Sequence, residues 1–295
     1  MNRGPVIIEA AINGSTTTEQ NPNVPRSPDE IAASALACFA AGAAIVHNHA
    51  DVQGAPDDIA ESYLAGWRPV LRERPEALIY PTLAFGDGKV SVDHLAVLAR
   101  AEALRIGICD PGSVNLGRRE AGIPVGAFVY ANSFDDIAHI MDIHHEHDLG
   151  PSFAIYEPGF LRTALAWWEA GRLPAGSMFK FYLSTERGLI GAPFGLPPTR
   201  QALEMYVAML GDCPVPWAVS VAGGDVVASG LAEHAIELGG HVHLGLEFHH
   251  GDRTPGNVEL VTEAVAVCER LGVEVATSDQ SAEILGLPRA GHLTV

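Results

Sequence analysis

Eight short apolar runs, each followed by a helix-length amphipathic segment, recur along nearly the whole chain. They lie at Val6–Asn13, Ala44–Ala50, Leu78–Ala84, Ile106–Pro111, Phe153–Pro158, Met178–Ser184, Trp217–Ala222 and His241–Phe248. The runs are apolar along their length and do not alternate, which is the pattern of parallel strands covered on both faces. Helix starts stand between them: Ser27-Pro28 before Asp29–Ala41, Ser91 before Val92–Ala103, and Pro197-Pro198-Thr199 before Arg200–Leu210. Eight β/α repeats point to an α/β fold, a (β/α)8 TIM barrel. One domain is expected over residues 1–295, with a short excursion at 112–133 that absorbs the ninth apolar run, Gly126–Tyr130. A doubly wound open sheet is the alternative, because periodicity does not show closure.

Charge narrows the partners. Lys and Arg total 18 against 36 Asp and Glu, a formal charge of -18, and no basic run offers a local exception. Such a field repels nucleic acid and anionic membrane surfaces. No apolar stretch reaches the roughly 20 residues of a membrane-spanning helix, and no signal-peptide core opens the chain. The four cysteines are widely separated, with neither a close pair nor a zinc-ribbon spacing. These features predict a cytoplasmic protein acting on a small molecule.

The strongest local signal is Ile45-Val46-His47-Asn48-His49. Side chains two apart in a strand share a face, so His47 and His49 point together near the C-terminal end of the second strand, where TIM barrels place their sites. Two such imidazoles can bind zinc or a similar divalent ion. In the last run, His241, His243 and Glu247 share a parity, with Glu247 at the C-terminal end. Strand eight of a closed barrel adjoins strand one, which places Glu247 within reach of an ion held by strand two. The structural alternatives are a hydrogen-bonded core pair for the histidines and an exposed strand-end carboxylate for Glu247.

Several blocks together resemble the β-keto acid cleavage enzymes. They are Ala10-Ala11-Ile12-Asn13-Gly14, Asn21-Pro22-Asn23-Val24-Pro25, the His47/His49 strand, Gly112-Ser113-Val114-Asn115, Ser220-Val221-Ala222-Gly223, Gly239 to Glu247, and Glu283-Ile284-Leu285-Gly286-Leu287. The resemblance implies a zinc-containing TIM barrel, a homo-oligomer and commonly a tetramer. It implies cleavage of a β-keto acid with acetyl-CoA, giving acetoacetate and a new CoA thioester. His47, His49 and Glu247 match the family's metal ligands.

Three departures accompany it. Phe248 stands where the family has a catalytic acid, His243 where it has a substrate-binding arginine, and Ala50-Asp51 where an arginine follows the paired histidines. Imidazole cannot make the bidentate clamp of a guanidinium. Replacement groups are therefore sought among His243, Lys180 and Glu157 as catalytic candidates, with Lys180 also able to hold a carboxylate or form a Schiff base. An ion pair between Lys180 and Glu157 is the structural alternative. Thr82, Ser113, Asn115, Ser220, Gly223 and His249 are candidate substrate-binding residues. Turn capping, barrel packing and plain loop polarity are their alternatives. Gly223-Gly224 after the seventh strand can offer amides to a CoA phosphate, although Asp225 adds opposing charge. The competing functions are a hydrolase or aldolase that uses no CoA, and a catalytically silent barrel that binds metal and ligand.

Overall fold

A computed structural model describes residues 4–86, 89–101 and 104–287. Eight parallel strands form one sheet: β1 (Ile8–Ala11), β2 (Ile45–Asn48), β3 (Leu78–Pro81), β4 (Ile106–Cys109), β5 (Gly150–Ile155), β6 (Met178–Ser184), β7 (Trp217–Ala222) and β8 (His241–Leu244). First and last strands pair, with Glu9 opposite His243, and β1 also pairs with β2, with Ala11 opposite His47. The remaining ladders run from β8 through β7, β6 and β5 to β4, and from β2 to β3. The sheet curls until β3 and β4 lie side by side, although among the described residues no ladder joins those two. The result is a nearly closed TIM barrel.

A helix follows every strand: α1 (Pro28–Ala41), α2 (Pro56–Glu73), α3 (Asp93–Arg100), α4 (Phe134–Glu146), α5 (Pro158–Glu169), α6 (Arg200–Leu210), α7 (Leu231–Glu237) and α8 (Asn257–Leu271), with α9 (Ser278–Leu285) after them. The Ser27 hydroxyl caps α1 while Glu30 returns the bond to the Ser27 amide. Phe181 on β6 stacks on Tyr206 of α6 at 4.8 Å between ring centroids, so it faces outward. Its burial contributes about 1.5–3 kcal/mol. By the two-residue period, Lys180, Tyr182 and Ser184 face the barrel interior.

β6 and β7 coincide with their apolar runs, β5 is shifted three residues toward the N-terminus, and the other five strands are shorter than their runs. Pro158 opens α5 and does not end β5, since proline suits a first helical turn. The run from Leu78 divides into β3 and a hairpin, Ala84–Gly86 with Lys89–Ser91. The helix expected at Val92–Ala103 spans Asp93–Arg100, and positions 102 and 103 lie outside the described residues. A longer hairpin, Val114–Glu120 with Ile123–Tyr130, rises after β4. Among the described residues, no helix is long and apolar enough to cross a membrane.

Candidate active site

His47 is the third residue of β2, and His49 lies just beyond that strand. The His49 amide donates to Asn13 Oδ1 (2.8 Å), and Asn13 Nδ2 donates back to the His49 carbonyl (3.0 Å), so one side chain fixes that backbone. His47 Nδ1 lies 3.2 Å from the Tyr80 carbonyl, an acceptor only. That contact puts the ring proton on Nδ1 and leaves Nε2 with its lone pair toward the barrel mouth.

Glu247 arrives by a turn, not by the strand parity expected of His241–Phe248. β8 stops at Leu244, and Gly245 follows at φ 128°, a conformation that side-chain-bearing residues rarely adopt. A Cβ there would meet the Ala11 carbonyl oxygen at 2.1 Å. The Leu246 amide donates to Asn257 Oδ1 (3.0 Å) and the Glu247 amide to the Ala11 carbonyl (3.2 Å). Thus pinned, Glu247 places Oε2 3.4 Å from His47 Nε2 and Oε1 3.1 Å from His49 Nε2.

One ligand atom from each of the three residues lies within 4.8 Å of the others. Glu247 Oε2 is buried without a hydrogen-bond partner. Burial holds His47 well below the usual imidazole range, so it is neutral. Burial alone would raise the Glu247 carboxyl, but His49 and His47 beside it bring it down to about 2. Two imidazoles and an ionised carboxylate with an orphaned oxygen suit zinc or a similar borderline cation.

Beneath this set lies a buried polar cluster. Lys180 Nζ donates to Glu9 Oε1 (3.2 Å) and to the Tyr80 hydroxyl, which itself hydrogen-bonds Glu9. His243 Nε2 stands 3.4 Å from Glu9 Oε1, and all four side chains are essentially sealed from solvent. Lys180 is therefore paired with Glu9 and not with Glu157. Glu9 interrupts an apolar run in the sequence, and the inward parity of β1 is what gives that interruption its meaning.

Above the three converging side chains opens a cavity of about 450 Å³ lined by His47, His49, Glu247, Thr82, Asp110 and an apolar wall that includes Tyr130, Tyr156 and Tyr182. Asp110 escaped the sequence reading because an acid beside Pro111 at the end of an apolar run resembles a turn residue. It is buried, and the Tyr130 hydroxyl donates to its Oδ2 (2.6 Å). Burial raises its carboxyl to about 6, against the opposing effects of that hydrogen bond and the Lys180 charge. A second, polar groove of about 280 Å³, lined in part by Thr16, Thr17 and Arg187, shares Ser15, Leu189, Ile190 and Glu247 with the first.

Of the other expected residues, Thr82 lines the cavity, Gly223 and His249 line the polar groove, and the rest lie elsewhere. Glu157 accepts the Gly195 amide (3.0 Å) and is not among the cavity-lining residues. Ser113 exchanges hydrogen bonds with the Asn132 backbone at the base of the longer hairpin, and Asn115 is exposed opposite Val129 on that hairpin. Ser220 is buried beside His243 and Phe248 in a small void. The Gly223 and Gly224 amides both donate to the Phe248 carbonyl (3.0 and 3.2 Å), so neither is available to a phosphate. His249 faces Asp225 at 3.5 Å, and Asp225 Oδ1 caps the turn at Val227 and Ala228.

The family model described as beta-keto acid cleavage enzyme matches residues 5–287. The chain belongs to the β-keto acid cleavage enzyme family. A 3-keto-5-aminohexanoate cleavage enzyme of Fusobacterium nucleatum is 28% identical, with 96% of this chain and 98% of the relative covered. A 3-oxoadipate:acetyl-CoA acetyltransferase of Cupriavidus necator is 26% identical, with 96% and 95% covered. Among solved structures, the binary complex of ObcA with oxaloacetate superposes with a TM-score of 0.69 at 16% identity, over 91% of this chain and 68% of that one. The apo structure of ObcA gives 0.68 at 17% identity, and there the chain spans 90% of its own length and 66% of the other. These likenesses show a shared fold.

His243 and Phe248, which the resemblance sets against an arginine and an acid of the family, are buried neighbours in space. His243 and Phe248 pack edge to face with ring centroids 4.9 Å apart, and Tyr182 lies 5.0 Å from Phe248.

Proposed function

We propose that this chain is a metal-dependent β-keto acid cleavage enzyme that exchanges acyl groups between a β-keto acid and acetyl-CoA, releasing acetoacetate and a new acyl-CoA. The observation that carries this reading is the convergence of His47, His49 and Glu247 at the junction of two cavities. His47, His49 and Glu247 would hold zinc, which when bound supplies a Lewis acid for a carbonyl oxygen. The chamber containing Asp110 takes the keto acid, its apolar wall meeting the hydrocarbon part. The polar groove takes the CoA arm, with Arg187 facing the phosphates. Thr82 borders the chamber and Lys180 supports its floor through Glu9 and Tyr80. In this reading the enzyme is cytoplasmic and homo-oligomeric, with a tetramer as the expected assembly.

Metal analysis of purified protein and of His47→Ala and Glu247→Ala tests the first half. One bound ion in the parent and loss of metal in both variants is expected, and unchanged metal content in the variants refutes the ligand set. Incubation with acetyl-CoA and a panel of β-keto acids tests the second half through acetoacetate formation. Turnover without CoA would instead favour a hydrolase or aldolase, for which the occupied amides of Gly223 and Gly224 are the supporting observation.

A further inference from the structure

We propose that Asp110, held by Tyr130, is the catalytic residue that moves the proton in this chamber. The inference rests on the cleavage reading for its substrate, and on geometry for its residue. Asp110 is 2% exposed, lines the cavity that contains the three converging side chains, and keeps Oδ1 without a hydrogen-bond partner among the described residues. A buried carboxylate oxygen left unpaired is costly and is rarely retained without a use.

Elimination supports the assignment. His243 and Lys180 are sealed below the cavity, Glu157 is turned to the Gly195 amide, and His249 faces Asp225. The phenols of Tyr130, Tyr156 and Tyr182 are pushed by burial well above their usual range, so they stay protonated and cannot act as bases. Asp110 titrates near the middle of the working range of most enzymes, where a proton carrier is most effective. The groups acting on it are Tyr130 from the long hairpin, Tyr156 beyond β5, His49 beyond β2, Glu247 on the turn after β8, Lys180 on β6 and its neighbour Cys109. Among these, Tyr130 hydrogen-bonds it.

The step balances without any further reagent. The Asp110 carboxylate takes a proton from the carbon between the keto and carboxylate groups of the substrate. That C–H bond breaks, its electron pair stays on the substrate, and an O–H bond forms on Asp110. The carbon bonds to the acetyl group of acetyl-CoA as the CoA thiolate leaves. The thiolate attacks the original keto carbon, the old carbon–carbon bond breaks, and Asp110 returns the proton to the same carbon, completing acetoacetate.

The test uses zinc-loaded full-length protein, 3-oxohexanoate and heavy water, without CoA, and follows deuterium incorporation at that carbon by NMR. The parent is expected to accelerate exchange over buffer. Asp110→Asn, which keeps the acceptor for Tyr130, is expected to lose about 100-fold or more of the acceleration. Its calorimetric affinity for 3-oxohexanoate should stay within about threefold, since only proton transfer is removed. Tyr130→Phe removes a hydrogen bond that favours the charged carboxylate, so the acidic limb of the exchange rate moves to higher pH than in the parent. The infrared carbonyl band of the protonated acid should titrate near pH 6 in metal-free parent, vanish in Asp110→Asn and titrate higher in Tyr130→Phe. A purely structural role would not move that band.

Exchange by Asp110→Asn at the parent rate, exchange by the parent no faster than buffer, or an unmoved limb and band in Tyr130→Phe would each overturn the proposal. Absence of acetoacetate with acetyl-CoA present, alongside Asp110-dependent exchange, would overturn the cleavage reading and leave this assignment standing.

Discussion

Among the described residues Asn13 hydrogen-bonds no ring nitrogen of His47 or His49, yet it fixes where one of the two imidazoles sits. Its amide bonds both backbone groups of His49 and also donates to the Pro25 carbonyl (3.2 Å). Residues that orient metal ligands typically matter by 10–100-fold in affinity. Asn13→Ala is accordingly expected to weaken zinc binding about 10–100-fold while the fold persists, as competition with a chelating dye would show. Unchanged affinity would mean that β2 places His49 unaided. At this scale the paired histidines were legible, because the two-residue period of a strand brings them to one face. Asp110 and Glu9 were not. Each is a single acid against an apolar run, and only the tertiary partners, Tyr130 for one and Lys180 with Tyr80 for the other, separate a site residue from a turn or an interruption.

Elements account for a different kind of success and failure. Glu247 was placed at the mouth by extending β8 to Phe248, whereas a glycine-broken turn delivers it. The position agreed while the mechanism differed, since a carboxylate three residues past a strand can still fold back over the barrel. Lys180 on β6 and Glu9 on β1 form an ion pair across the interior, which no spacing within one element reveals. Removing one partner of a buried pair strands the other, at a cost of about 3–5 kcal/mol. Lys180→Met should lower the free energy of urea unfolding by that amount, and adding Glu9→Gln should restore part of it. A Lys180→Met protein as stable as the parent would show that Glu9 is not charged in the fold.

For the molecule as a whole, the eightfold alternation of apolar run and amphipathic segment was sufficient to read eight β/α units with parallel strands covered on both faces, and an open sheet was the alternative to the expected barrel. Its closure was not legible, because pairing between first and last strands is a property of twist and not of any residue pattern. The structure closes the circle at β1 and β8 and leaves it unlaced between β3 and β4. Among the described residues, no ladder of reciprocal backbone bonds runs along that line as it does between the other neighbouring strands. In deuterium-exchange mass spectrometry, peptides over Leu78–Pro81 and Ile106–Cys109 should therefore label earlier than those over β1 and β8. The cavity lies beside this line, with Thr82 after β3 and Asp110 after β4 among its lining residues. Solvent penetrating there would reach the chamber floor without passing the mouth, and equal labelling on both sides of the barrel would show the line to be sealed.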